Sequence, residues 1–135
     1  SPDSRAALAL PARIAPQAGL SLVHAYDLPF EGKLGIAGAS QDDIERYRSQ
    51  AYERAGMQID QAVTAAGLAP ERTVRVVDRA YPPKLIQDSA RALRAELIAI
   101  GKHGGSMLED LLLGSVTLHT LAAAECDVLV VPSGR

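Results

Sequence analysis

Hydrophobic positions along the chain fall into two kinds of stretch. Short apolar runs occur at 20–26 (LSLVHAY), 73–79 (TVRVVDR), 96–101 (ELIAIG) and 127–131 (DVLVV). Each is bounded by turn residues and too short for an ordinary helix, which predicts strands. Between them apolar positions recur at helical spacing. Ser40 and Asp43 form a capping box ahead of a segment with Ile44, Tyr47, Ala51, Ala55, Ile59, Ala62, Val63 and Ala66 on one stripe, and Gly67 stands where a C-terminal cap belongs. At the start, Ser1 as cap, Pro2 as first helical residue and Asp3 on the helix dipole predict a helix to about Ala15, with an irregularity at Pro11. Pro82-Pro83 opens a helix through about Arg94, and a last helix covers roughly 115–124. Residues 28–39, with Pro29, Gly32, Gly35 and Gly38, show little periodicity and predict a loop.

Strands alternating with helices predict a parallel sheet covered on both faces, a doubly wound α/β fold. The 135 residues, 47% hydrophobic and 22% charged, fit one domain without repeats. A net charge of −2, with basic residues scattered among acidic ones, argues against general nucleic-acid binding and against attachment to anionic membranes. Cys126 is the single cysteine, so no intrachain disulfide forms; without a signal peptide or an apolar run of membrane-spanning length, the expected compartment is the cytoplasm.

Candidate chemistry concentrates in IAIGKHGGSMLEDLLLGSV, residues 98–116. In doubly wound sheets ligands bind beyond the carboxyl ends of the strands, and Gly101 marks that end of the third predicted strand. The spacing is neither that of a Walker A loop nor that of the Gly-x-Gly-x-x-Gly dinucleotide fingerprint. It is Gly101-x2-Gly104-x9-Gly114-Ser115. Glycines let backbone amides approach an anion, and Gly114-Ser115 leads into a helix N-terminus, where free amides and the dipole favour phosphate.

These stretches, together with HAYD and the long middle helix, resemble the universal stress protein (UspA-type) family over nearly the whole chain. The resemblance implies a Rossmann-like sheet of 3-2-1-4-5 order and, through the glycine motif, the subgroup that binds ATP or a related adenine nucleotide. It implies that Gly101 and Gly104 line ribose and phosphates, that Gly114, the Ser115 hydroxyl and the Val116 amide hold phosphate, and that Ala25 and Ile100 pack the adenine. His103 occupies the histidine of the family's GxHG turn, and Ser106 keeps a hydroxyl found there. Many members carry Arg or Lys where this chain has Gly105, so its phosphate site relies on amides, the helix end and Lys102. Magnesium would come with the phosphates rather than with a protein cage.

No nucleophile–base–orienter set emerges, which makes slow hydrolysis the most enzymatic expectation. His24, His103 and His119 lack metal-ligand spacing, and His24 and Cys126 read as core residues. Two rivals stay open: a module of the same fold that dimerises or signals with an unoccupied site, and a nucleotide-dependent transferase. The final strand Asp127–Val131, apolar on both faces, is the expected homodimer edge. Because the chain opens on a helix, the central first strand is expected to be missing. The LSLVHAY and ELIAIG strands would then lie about 10 Å apart without pairing, with about ten further residues expected upstream, or a strand exchanged with a partner.

Overall fold

The computed structural model describes residues 2–103 and 112–132. Helix α1 (Pro2–Ile14) leads to strand β1 (Leu20–Tyr26), followed by a short helix α2 (Glu31–Ile36) and the long helix α3 (Gln41–Ala65). A 3-10 turn at Pro70–Arg72 precedes β2 (Thr73–Arg79); then come α4 (Pro82–Ala92), β3 (Leu97–Gly101), α5 (Ser115–Ala123) and β4 (Asp127–Val131). All four predicted strands and the four longer predicted helices are present.

The strands form two parallel pairs. In one, β1 pairs with β2 from Leu20 opposite Thr73 to Tyr26 opposite Arg79; in the other, β3 pairs with β4 from Leu97 opposite Asp127 to Gly101 opposite Val131. In the expected 3-2-1-4-5 order these are the 3-2 and 4-5 pairings, with β1 in place 2 and β3 in place 4; β1 and β3 are not paired with each other. Helices tie the two pairs together. Helix α1 packs on β3 and β4, α3 packs on β1 and β2, and α1 touches α3; α4 packs on β1 and on α5.

The core lies where α3 meets the first pair. Leu22 of β1 is buried against Ile59 and Val63 of α3, with Leu8, Leu68 and Val77 packed around them. Of the stripe predicted on α3, Ile44, Ala55, Ile59 and Val63 are buried, while Tyr47, Ala51, Ala62 and Ala66 are half-buried. The Ser40 side chain accepts from the Asp43 amide at 3.1 Å, the expected N-cap. At the other end Gly67 adopts φ +68°, and the amides of Gly67 and Leu68 donate to the carbonyls of Thr64 and Val63, a Schellman ending.

The predicted loop at 28–39 needs correction, because residues 31–36 are helical. Two glycines in six residues remove the local signal, and tertiary contacts supply what propensity lacks. The Glu31 side chain, 15% exposed, bridges Arg48 of α3 and Arg79 of β2, the latter at 2.5 Å. The hydrogen bond from Arg48 is the main influence holding the Glu31 carboxyl below the usual glutamate range, with Arg79 adding to it and burial opposing. The helix predicted through Arg94 ends at Ala92, and its reversal places Arg94 at φ 51°, a left-handed position that glycine usually fills. Helix α1 runs on through Pro11 to Ile14.

Candidate functional site

The carboxyl end of β3 brings together part of the predicted site: Ile100, Gly101, His103, Gly114, Ser115 and Val116. Gly101, the last residue of β3, is buried, and its missing side chain has a packing cause. A Cβ built there would lie 2.8 Å from the backbone carbon and the Cβ of Asp3 and from the Ser4 nitrogen, so the first turn of α1 rests directly on this glycine. Beyond it the chain is sewn to both neighbours. The Lys102 amide donates to the Val131 carbonyl at 2.9 Å, closing the end of β4 onto β3. The Gly114 amide donates to the Lys102 carbonyl at 2.9 Å, which brings the start of α5 to the strand end.

Helix α5 begins at Ser115, and its cap residue, Gly114, has no side chain with which to cap it. The amides of its first turn therefore have no side-chain acceptor from the cap position, the condition under which a helix end receives an anion. Thr117 fixes how α5 docks. Its hydroxyl, on a residue 2% exposed, donates to the Gly101 carbonyl at 2.7 Å, with the Lys102 carbonyl at 3.3 Å. Sequence reasoning passed over Thr117; the only signal was a threonine one turn into a helix that follows a glycine turn.

His103 is held by a residue from the far end of the chain. Its backbone N–H donates to Asp3 Oδ2 at 2.9 Å, its Nδ1 stands 3.1 Å from the same oxygen, and its Nε2 faces the Leu112 carbonyl. Asp3 is 6% exposed. Its position in the first turn of α1 favours a carboxylate. Ile100 sits one residue before Gly101, half-buried and opposite Val130; Val116 is half-buried and Ser115 exposed on α5. Ala25, half-buried, lies near the carboxyl end of β1, on the other strand pair. Gly104 of the motif and the candidate Ser106 lie outside the described residues.

A cavity of about 370 Å³ lies at the opposite end of β3, bordered by Arg91, Arg94, Ile98, Glu125 and Cys126. The Arg91 guanidinium donates to Glu125 from Nε at 3.2 Å and from Nη2 at 2.6 Å. Their mutual hydrogen bond raises the arginine and lowers the glutamate from their ordinary values. Since ligands of doubly wound sheets bind at the carboxyl ends of the strands, the glycine turn and not this cavity is the candidate site. Among the described residues no group of three or more His, Cys, Asp or Glu side chains is placed to hold a metal ion, and no helix is long and apolar enough to cross a membrane.

Parallel strands joined by helices, with glycines at the end of β3 and at the cap of α5, define a Rossmann-like doubly wound α/β protein. The chain belongs to the universal stress protein family, whose model it matches over residues 1–132. It is 30% identical over 101 residues to Universal stress protein Sll1388 of Synechocystis sp. (strain ATCC 27184 / PCC 6803 / Kazusa), an alignment covering 75% of this chain and 63% of that relative's length. Among solved structures it is similar to the hypothetical protein MJ0577 (TM-score 0.73, 19% identity, 96% of this chain and 87% of that one). It is also similar to universal stress protein UspA from Lactobacillus plantarum (TM-score 0.67, 19% identity, 96% and 89%). A third similar structure is a universal stress protein in complex with cAMP (TM-score 0.60, 22% identity, 99% and 90%).

Proposed function

We propose that this domain binds ATP or a related adenine nucleotide at Gly101-x2-Gly104-x9-Gly114-Ser115 and serves as a regulatory module in a stress response. The observation that carries the reading is the N-terminus of α5, with a glycine at its cap position and docked on the end of β3 through Gly114 and Thr117. There the Ser115 and Val116 amides, the Ser115 hydroxyl and the turn around Gly101 and Gly104 receive the phosphates, with His103, Ser106 and Lys102 beside them. Ile100 and Ala25 flank the base. Magnesium would enter with the phosphates. The cAMP complex of a structurally similar family member supports an adenine nucleotide as ligand class.

Titration calorimetry with ATP and AMP tests the reading. The expected affinity is of order micromolar, about −8 kcal/mol. Gly114→Val, which puts side-chain bulk between phosphate and amides, should abolish binding; equal binding by wild type and variant overturns the site. The same reading makes the protein a homodimer. Strand β4 pairs with β3 along one edge, and its Val128, Leu129 and Val130 suit pairing with a second copy along the other.

A further inference from the structure

The contact between Asp3 and His103 joins residues 100 positions apart, and it falls on the candidate ligand loop rather than in the core. One carboxylate oxygen meets both the backbone N–H and the ring Nδ1 of His103, at 2.9 and 3.1 Å. The other ring nitrogen faces the carbonyl of Leu112, two residues before the cap of α5. The imidazole therefore spans the two ends of the segment between β3 and α5, and its near end is fixed from α1. Asp3 is buried, its side chain 8% exposed, and α1 stands against Gly101 without room for a methyl group. A carboxylate so enclosed has little freedom to swing away, so its hydrogen bonds set a geometry as well as an energy.

We infer that Asp3 is a positioning residue for nucleotide binding: through His103 it sets the separation and orientation of the end of β3 and the start of α5, where the phosphates are received. This rests on the proposed nucleotide site. It adds a requirement that the glycine spacing does not contain, a hydrogen-bond acceptor in the first turn of α1. An apolar residue there would remove this acceptor from the His103 N–H and ring and let His103 and Leu112 move apart.

The test compares wild type, Asp3→Ala and Asp3→Asn by NMR and by calorimetry with ATP. Asn keeps a short carbonyl acceptor and serves as the conservative rescue. In the nucleotide-free protein, Asp3→Ala should shift the amide resonances of Lys102, His103, Gly114, Ser115 and Val116 and the ring signals of His103, leaving those of β1 and β2 in place. Asp3→Asn should restore most of them. Affinity for ATP should fall roughly tenfold or more in Asp3→Ala, as expected for loss of a charge-assisted hydrogen bond, and recover in part in Asp3→Asn. Unchanged loop and His103 signals in Asp3→Ala overturn the inference, as does wild-type ATP affinity in that variant. So does a collapse of the whole spectrum in both variants, which assigns Asp3 to general stability. If the wild type itself binds no adenine nucleotide, the functional reading and the inferred role in binding fall together. The NMR comparison still shows separately whether Asp3 holds the loop.

Discussion

Gly101→Ala separates packing from ligand binding at the end of β3. The added methyl carbon would sit 2.8 Å from three atoms of Asp3 and Ser4, about 0.6 Å short of the 3.4 Å at which ordinary contact begins. Two of those atoms are backbone, so no rotamer change relieves the clash, and the first turn of α1 has to move off the strand. Overpacking of this kind costs roughly 1–3 kcal/mol. Taking the usual unfolding entropy per residue for a domain of this length, the melting temperature should fall by about 4–10 °C. Displacing α1 also draws Asp3 away from His103, so the loop signals that mark the Asp3 variants should shift. Thermal and urea unfolding of wild type and variant without nucleotide give the measurement. A Gly101→Ala protein as stable as wild type, with weakened nucleotide binding alone, would refute the argument that α1 makes this glycine necessary.

Thr117→Val keeps the shape but removes the hydroxyl that donates to the Gly101 carbonyl, and should cost about 1–2 kcal/mol in urea unfolding; no loss would mean the bond does not fasten α5. Arg94→Gly relieves a left-handed residue and should stabilise the domain by about 1 kcal/mol, read as a higher urea midpoint; a lower midpoint would show that Arg94 contributes more through its side chain. Because the folded-state value of Glu31 is depressed, its contribution is present above the ordinary glutamate value of about 4.3 and is lost as pH falls through the folded value. The stability gap between wild type and Glu31→Gln should therefore close on acidification, and a gap that persists well below that range contradicts the assignment. Val130→Lys should leave a monomer by light scattering where the wild type is dimeric, and a wild type that is monomeric at high concentration refutes pairing through β4.

The strands and α3 were legible because their signals are local: short apolar runs, a capping box, a stripe of period 3.6 and a glycine where the helix reverses. The meeting of β3 with the start of α5 stood out because glycine spacing there is unusual. What escaped depends on partners distant in the chain. Helix α2 has weak propensity and is held by Glu31 reaching Arg48 and Arg79, contacts that no window of ten residues contains. Arg94 ends a helix in a conformation that sequence reading reserves for glycine. Asp3 read as a helix-start residue, which it is, but its bonds to His103 appear only when both ends of the chain are in view. Gly101 was legible as special and for a different reason: the motif suggested ligand approach, and the structure adds the close seat of α1.

Pairing the strands two by two has a mechanical consequence. Each pair is held internally by backbone hydrogen bonds, and the packing of α1 on α3 and of α4 on β1 and α5 joins one pair to the other. The glycine turn, α5 and the first turn of α1 all ride with β3 and β4, while Ala25 rides with β1. A nucleotide bound as proposed would touch both pairs, its phosphates beside the end of β3 and its base against β1, and so would tie one pair to the other.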